Sequence, residues 1–304
     1  MFLQMLMKYH LFATHSNPLL PQEIIKKSNK LIRGKCKISH YKDGEILVHL
    51  DEKVKDKKVF VLGSTYPPAE NVLELIILIN TLKENGAKEI VVLIPYFGYG
   101  KQDRIKYSGD AMSAKLMAEI IQLAGAKEII ALDLHSQLVK KYFANIINLN
   151  ANQLLSSYFA DINKEEYVVV APDMGGVTRA KKFAKELGIK NVAIIEKSRP
   201  KIDESKVVKM TGKVKDKNCV IVDDLSQTGG TLIKGAKYLK TKGAKDVYVV
   251  LTHLVATGPV IKNLGKDRNI KKIVTTNSID LPKKIYKSKK FEVKSCADVF
   301  IKNI

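Results

Sequence analysis

The chain contains no tryptophan and only three cysteines among its 304 residues. Cys36, Cys219 and Cys296 lie too far apart for a metal-ligand pattern, and they are too few for a disulfide framework, which favours a reducing compartment. No apolar run is long enough to span a bilayer, and the apolar start, Met1 to Phe12, lacks the cationic segment and cleavage site of a signal peptide. We therefore expect a cytoplasmic protein with no membrane partner.

Acidic residues are scarce relative to basic ones. The chain has 52 Lys and Arg against 31 Asp and Glu, a formal net charge of +21. Such an excess first suggests nucleic-acid binding. The lysines are spread along the whole chain, however, and are not interleaved with aromatic residues as in nucleic-acid-binding modules. We therefore expect small anionic substrates and no nucleic-acid partner, and a basic nucleic-acid-binding protein is the last alternative.

Short β-branched runs alternate with amphipathic helical patterns along the whole chain. In one example, Ile90–Ile94 reads as a strand and Ala111–Ala124 as the helix that follows it. Strands that alternate with helices are typical of an α/β fold with mainly parallel sheets flanked by helices. The sequence therefore predicts this fold class.

The two halves of the chain are similar. The phrase Gly-Ala-Lys recurs at helix-to-strand turns, beginning at Gly86, Gly125 and Gly243. This recurrence indicates an internal duplication. We predict two similar domains, residues 1–155 and 156–304, and leave open a return of the C-terminal segment to the first domain.

The most informative stretch joins a predicted strand to a predicted helix. The apolar run Val220–Val222 ends in Asp223 and Asp224, the glycine-containing loop Thr228–Thr231 follows, and a helical pattern begins at Leu232. Backbone N–H groups of such a loop and of a helix N-terminus suit a phosphate, and paired carboxylates can accept hydrogen bonds from ribose hydroxyls. The pattern predicts a sugar-phosphate site. Its alternative is a strand that ends in two acids, followed by an ordinary turn.

Four other segments gather polar side chains where predicted strands end. Taken singly, each has a structural explanation: a surface ion pair, a hydrogen-bonding histidine, a turn or a solvated loop. Taken together, they place cations, acids, an amide and an imidazole at the carboxyl edges of the predicted sheets, where α/β proteins bind ligands. These segments are residues 94–104, 132–135, 171–179 and 195–200.

In chain order, these segments resemble the ribose-phosphate diphosphokinase family, and the resemblance runs from about Phe12 to the C-terminus. Its motifs are Asp43-Gly44-Glu45, Pro95-Tyr96-Phe97-Gly98-Tyr99, Gln102-Asp103-Arg104, Asp133-Leu134-His135, Pro172-Asp173-Met174-Gly175-Gly176, Lys197-Ser198-Arg199-Pro200 and Asp223-Asp224.

This resemblance implies two type I phosphoribosyltransferase-like domains in an enzyme of nucleotide biosynthesis. Such an enzyme transfers the diphosphoryl group of ATP to the C1 hydroxyl of ribose 5-phosphate with Mg²⁺, and it is a homo-oligomer, with dimer and hexamer both left open. By the same resemblance, the catalytic residues are Lys197 and Arg199. Ribose 5-phosphate is held by Asp223, Asp224, Gln227, Thr228, Gly229, Gly230 and Thr231. ATP is held by Lys101, Gln102, Asp103 and His135, and also by Tyr41, Asp43 and Glu45. Asp43 and Glu45 reach the nucleotide from a neighbouring subunit. Mg²⁺ is held by His135 and Asp173.

Four positions depart from the family pattern. Gln227 stands where an Asp is usual, Lys101 where an Arg is common, Tyr41 where a Phe is usual and Lys42 where a small residue is common. A glutamine cannot act as a base, and a lysine lacks the planar fork of arginine. These changes keep a catalytically impaired regulatory relative open as an alternative, and a plain phosphoribosyltransferase as a weaker one. The presence of Lys197, Arg199, His135 and Asp173 favours an active enzyme.

Overall fold

The computed structural model describes residues 8–197, 208–255 and 260–304. By their internal contacts, these residues form two compact units. The first contains residues 8–150 together with Ser278–Asp280 and Ser295–Ile304. The second contains the described part of Ala151–Asn277, together with Leu281–Lys294. The last residues of the chain therefore pack within the first unit.

The elements of the first unit alternate between strands and helices. In chain order they are β1 (Tyr9–Ala13), α1 (Leu20–Lys27), β2 (Leu31–Arg33), β3 (Cys36–His40), β4 (Ile46–Leu50), β5 (Lys58–Leu62), α2 (Glu70–Glu84), β6 (Glu89–Ile94), α3 (Ser113–Ala124), β7 (Glu128–Leu132) and β8 (Ile146–Leu149).

A parallel sheet forms the centre of the first unit. Across the residues described, its strand order is β2-β1-β5-β6-β7-β8. Helix α2 buries Leu75, Leu78, Ile79 and Leu82, and this helical spacing places all four side chains on one face, in the same hydrophobic cluster as the strands. Burying each such side chain contributes roughly 1.5–3 kcal/mol. The strands β3 and β4 form a separate antiparallel hairpin.

The second unit has the same alternation. Its elements are α4 (Asn152–Ser156), β9 (Tyr167–Ala171), α5 (Val177–Leu187), β10 (Val192–Lys197), β11 (Val208–Thr211), β12 (Asn218–Ser226), α6 (Gly230–Thr241), β13 (Val247–Leu254), α7 (Val260–Lys266), β14 (Lys272–Thr276), α8 (Lys283–Tyr286) and β15 (Phe291–Lys294).

The second sheet is parallel except at one edge. Within the described ranges its order is β11-β10-β9-β12-β13-β14-β15, and β11 pairs antiparallel with β10. The middle of each central strand is apolar and buried, as in Val168–Ala171 of β9 and Cys219–Val222 of β12, as expected for strands covered on both faces. The chain then returns to the first unit, where α9 (Ala297–Ile301) contacts α1.

One turn has the same sequence and nearly the same backbone geometry in the two units. The sequence Val-Lys-Asp-Lys precedes both β5 and β12, at 54–57 and 214–217. In the first copy the N–H of Asp56 donates to the Gly86 carbonyl at 2.8 Å, and in the second the N–H of Asp216 donates to the Gly243 carbonyl at 2.9 Å. The φ angles of the two glycines are 83° and 84°. The predicted α/β fold of two similar units is confirmed.

Each sheet has one point at which the strand order reverses. From β9 the chain moves to β10 on one side, whereas β12 and its successors lie on the other. In the first unit the same reversal falls between β1 and β5. Ligands of open α/β sheets bind at the carboxyl ends of the strands at such points. This rule directs attention to the residues after β1, β5, β9 and β12.

No helix in the described part of the chain is long and apolar enough to cross a bilayer.

Candidate active site

Two adjacent acids lie at the reversal point of the second sheet. The sequence predicts that the strand ends where these acids begin, and this prediction is wrong: Asp223 and Asp224 lie within β12, which continues to Ser226. The reason is that the two strands beside β12 pair with it over different lengths. Pairing with β9 ends at Ile221, but pairing with β13 continues to Ser226, so the backbone stays extended beneath the two carboxylates.

Arg179 joins both carboxylates. It lies in the first turn of α5, which follows β9. Its guanidinium donates to Asp223 Oδ1 at 2.9 Å and lies 3.3 Å from Asp224 Oδ1. The backbone N–H of Asp224 also donates to Asp223 Oδ1, at 2.9 Å. One cation therefore holds two acids in a fixed position at the sheet edge.

The carboxyl of Asp223 is harder to ionise than an ordinary aspartate. Burial and then repulsion by Asp224 raise the pKa of Asp223 to about 7, although the charge of Arg179 acts in the opposite direction. Two close carboxylates facing a single cation lose their last proton late, and this behaviour belongs to the pair as a whole. The arrangement keeps strong hydrogen-bond acceptors at the edge of the sheet at the expense of stability.

The loop after β12 is compact and depends on glycine. Gly229 has a φ of 77°, and a Cβ added there would lie 2.8 Å from the Leu264 side chain. Its N–H donates to the Ser226 hydroxyl at 3.1 Å, and the N–H of Gly230 donates to the Thr228 hydroxyl at 3.3 Å. Helix α6 begins at Gly230, two residues earlier than the pattern predicts, because the left-handed Gly229 is already the cap. Gln227, Thr228 and Thr231 are exposed at this loop.

Asp173 lies at the other side of the reversal point. It follows β9, and its Oδ1 accepts the N–H of Gly176 at 3.1 Å, which caps the short 3-10 turn Met174–Gly176. The side chain is only partly buried. A carboxylate offers about four acceptor sites, so this cap leaves capacity for a cation. Asp173 and the acids of β12 therefore share one edge of one sheet.

In the first unit, two adjacent strands bring several of the residues predicted to bind the nucleotide to one edge of the sheet. Lys101, Gln102 and Asp103 follow β6, and His135 follows β7, which pairs with β6. A Cβ added at Gly100 would lie 3.9 Å from the Cβ of His135, so the two loops are in contact. Lys101, Gln102 and His135 are exposed.

Asp103 is placed differently from its neighbours. It is 3 % exposed, and its carboxylate accepts two hydrogen bonds from Arg104, both of 3.0 Å. These bonds, together with a hydrogen bond from Ser136, hold the pKa of the Asp103 carboxyl below its usual range despite burial. The Gln102 side chain accepts the Ser113 hydroxyl at 2.6 Å, at the start of α3. Asp103 thus ties the loop after β6 to the loop after β7.

The remaining predicted residues fall into two groups. Tyr41, Asp43 and Glu45 lie in the exposed turn between β3 and β4, in which Asp43 Oδ1 accepts the N–H of Glu45 at 3.1 Å. Arg199 and the side chain of Lys197 lie outside the described residues, and the backbone of Lys197 ends β10 opposite Val208.

Across the described ranges, no three His, Cys, Asp or Glu side chains converge as a metal cluster. Mg²⁺ keeps several waters, binds substrate phosphates and takes only one or two carboxylates from the protein. The hard oxygen donors of Asp173 fit such an ion, whereas cysteine thiols are soft ligands that suit other metals.

Two features of the site were not found from the sequence. Arg179 was seen as part of a motif but given no role, although an arginine one turn into a helix that follows a strand-end acid was a usable signal. Asp133 has a φ of 41°, rare for a residue other than glycine, and its Oδ1 accepts the Asn150 side-chain amide at 2.9 Å. Such strained residues cluster at functional sites.

Comparisons with known proteins agree with this geometry. A family model described as the N-terminal domain of ribose phosphate pyrophosphokinase matches residues 9–125, and one described as a phosphoribosyl transferase domain matches residues 139–294. The ribose-phosphate pyrophosphokinase of Bacillus caldolyticus is 41% identical over 288 residues, covering 93% of this chain and 90% of that protein.

The chain belongs to the ribose-phosphate pyrophosphokinase family. The relative from Clostridium tetani is 39% identical over 299 residues, covering 97% of this chain and 92% of that protein. A crystal structure of phosphoribosylpyrophosphate synthetase from Mycobacterium smegmatis superposes with a TM-score of 0.90 at 30% identity, covering 97% of each chain. The family, the phosphoribosyltransferase-type fold and membership of an enzyme class, all expected from the sequence, are confirmed.

Asp223→Asn is expected to stabilise the protein, and increasingly so as the pH rises. A carboxyl has a pKa of roughly 3.9 in an unfolded chain. Between this value and about 7, the folded state keeps a proton that the unfolded state has lost, so the stability of the wild type falls as the pH rises through this window. The amide carries no such cost. Melting temperatures should differ little near pH 4 and by roughly 5 °C near pH 8, with the variant higher.

Asp246→Asn is the matched control, because the carboxylate of Asp246 pairs with Lys271 at 2.7 Å in the same unit but away from the acid pair. It should give no gain that grows with pH. Equal pH dependence in the wild type and in Asp223→Asn would contradict a raised pKa at Asp223.

Proposed function

We propose that this protein transfers the diphosphoryl group of ATP to ribose 5-phosphate, forming 5-phosphoribosyl 1-diphosphate and AMP. The C1 hydroxyl oxygen attacks the β-phosphorus and loses its proton, and the bond from the β-phosphorus to the bridging oxygen of AMP breaks. The observation that carries the proposal is the acid pair of β12 beside the glycine-containing loop, at the reversal point of the second sheet, in a chain of this family.

The second unit supplies the sugar-phosphate side. Asp223 and Asp224 accept hydrogen bonds from the ribose hydroxyls, and Arg179 keeps the acids in position. The phosphate lies against Thr228–Thr231, where backbone N–H groups and the N-terminus of α6 attract an anion. Gln227 contributes an amide in place of the usual carboxylate, which removes one negative charge near the phosphates.

The first unit supplies the nucleotide side. Lys101 and Gln102 are exposed beside His135 and would contact the polyphosphate and base. Asp103 helps by fixing the loop through Arg104. Tyr41, Asp43 and Glu45 are on an exposed hairpin turn, which is available to the nucleotide of a neighbouring subunit, and we therefore propose a homo-oligomer.

Mg²⁺ is the cofactor proposed, with Asp173 as the proposed ligand in the second unit and His135 as the proposed ligand in the first. When bound, the ion neutralises charge on the phosphate oxygens. Phosphoryl-type transfer needs positioning and charge neutralisation more than covalent help from the protein. Lys197 and Arg199 are proposed to supply further positive charge in the transition state.

The first experiment is to incubate the purified protein with ATP, Mg²⁺ and ribose 5-phosphate and to follow AMP by chromatography. AMP that forms only when the sugar is present would support the proposal and show that Gln227 and Lys101 are compatible with turnover. A folded protein that forms no AMP would favour the catalytically impaired regulatory relative. Sugar-independent AMP would contradict the proposed acceptor.

Replacement of both acids, Asp223→Asn with Asp224→Asn, should raise the KM for ribose 5-phosphate by roughly 10-fold or more, because neutral amides are weaker acceptors for the ribose hydroxyls. The KM for ATP should change little. Steady-state kinetics with each substrate varied in turn measure both values. An unchanged KM for ribose 5-phosphate would disprove the ribose contact.

Lys197→Ala should lower kcat by roughly 100-fold or more while leaving the affinity for ribose 5-phosphate nearly unchanged, because a cation that acts in the transition state contributes little to ground-state binding. Lys190→Ala, a surface lysine before β10, is the control and should leave kcat unchanged. Comparable losses in kcat and in sugar affinity would argue against the transition-state role.

A further inference from the structure

The reversal point of the first sheet corresponds to the acid site of the second, but its chemistry is different. The shared Val-Lys-Asp-Lys turn aligns β5 with β12, so that Gly63 and Ser64 stand where the second unit has Asp223 and Asp224. No acid pair is present at these positions. Buried hydroxyl groups take its place.

The hydroxyls at this edge are buried and hydrogen-bonded to one another and to the backbone. The hydroxyls of Thr14 and Ser16 are 2.8 Å apart, and Ser16 accepts the N–H of Ser64 at 2.8 Å. All three residues are at most 3 % exposed. A Cβ added at Gly63 would lie 2.9 Å from both Leu75 and the Thr14 hydroxyl. The hydroxyls at this edge of the first sheet are therefore bonded within the protein.

The next two hydroxyls hold the loop after β6. Ser64 Oγ accepts the N–H of Tyr96 at 3.1 Å, and Thr65 Oγ1 accepts the N–H of Gly98 at 2.7 Å. The Thr65 hydroxyl in turn donates to the Gly98 carbonyl at 3.4 Å, and the Thr65 N–H donates to the Tyr96 carbonyl at 3.1 Å. Both Ser64 and Thr65 are completely buried. The two side chains that follow β5 thus provide hydrogen-bond acceptors for backbone N–H groups of the loop after β6.

The contact at Gly98 is too close for any other residue. A Cβ added there would lie 2.2 Å from the Thr65 carbonyl oxygen and 2.9 Å from the Tyr66 Cα. Because these are backbone atoms, they could not move aside cheaply. The loop is therefore clamped three residues before Lys101, and Phe97 packs edge-on against Phe143 at 5.6 Å beside it.

We propose that Thr65 is a positioning residue for the nucleotide: its hydroxyl fixes the Gly98 backbone and thereby the placement of Lys101 and Gln102. This inference rests on the proposed function, because it assigns the loop to ATP. The edge that binds sugar phosphate in one unit is used in the other to hold the nucleotide loop.

Thr65→Val tests the inference, because valine keeps the shape of threonine but leaves the Gly98 N–H without its acceptor. The dissociation constant for Mg-ATP and the KM for ATP should rise roughly 10- to 100-fold, with the KM for ribose 5-phosphate unchanged. Thr65→Ser keeps the hydroxyl and should restore ATP affinity to within a few fold. Calorimetric titration with Mg-ATP measures binding without turnover.

Thr81→Val is the matched control, because its hydroxyl bonds only the Ile77 carbonyl within α2, at 2.8 Å, in the same unit. It should leave both substrates unaffected. Unchanged ATP affinity in Thr65→Val, equal weakening for both substrates, or no recovery in Thr65→Ser would overturn the proposal.

The test separates this inference from the proposed function. If the wild type binds Mg-ATP but forms no AMP, the proposed reaction fails while the binding comparison still decides the role of Thr65. A wild type that binds no Mg-ATP would overturn both. If Thr65→Val does not fold, Thr65→Ala is measured in its place, and failure of both to fold would show that the hydroxyl is required for folding and not for positioning.

Discussion

The salt bridge between Arg179 and the acid pair is the constraint on which the second unit's site depends. Two carboxylates on consecutive residues of one strand repel each other, and burial of Asp223 makes their ionisation harder still. A single guanidinium contacts both carboxylates, at 2.9 and 3.3 Å. Its charge reduces the repulsion between them, but the pKa of Asp223 remains raised. A site selected for stability alone would not keep both acids there. Their presence fits a polar ligand whose hydroxyl groups donate hydrogen bonds to the carboxylates, since binding would then recover part of the free energy that folding gives up.

The register of β12 explains why the acids are available. The strand is longer than its neighbour β9, so its last residues are held by β13 while the other side faces the start of α5. That side is where Arg179 and Asp173 arrive, each fixed by the same strand-to-helix connection. One local connection therefore places the cation that restrains the acids and the carboxylate proposed to hold Mg²⁺. The loop that follows β12 completes the edge through Gly229, whose left-handed backbone begins α6.

Much of this could be predicted from the sequence, because β-branched runs and amphipathic patterns depend on local chemistry. The strand predicted at Ile90–Ile94 and the helix predicted at Ala111–Ala124 agree with β6 and α3 to within two residues. The prediction that was wrong, the end of the strand at Asp223, depended on a strand distant in sequence. The strand was expected to end at Asp223 because acids disfavour strands, but pairing with β13 overrides that preference. The sequence leaves open a local ion pair within residues 94–104, and the structure shows one between Asp103 and Arg104, while the contact of Asp103 with ATP stays a prediction. The Val-Lys-Asp-Lys repeat at 54–57 and 214–217 is a further sign of internal duplication that is present in the sequence itself.

Duplication also explains how the two units differ in use. Both sheets reverse direction at equivalent strands, so both inherit an edge suited to ligands. In the second unit this edge carries acids, and in the first it carries Ser64 and Thr65, which are buried and hydrogen-bonded to the loop after β6. Hydroxyls are less costly to bury than charges when they are paired. The hydroxyls of Ser64 and Thr65 hold the loop after β6, which carries Lys101 and Gln102, the residues proposed to contact the nucleotide. Different side chains at equivalent sheet edges can therefore serve different purposes, acids to accept hydrogen bonds from a ligand and hydroxyls to fix a neighbouring loop.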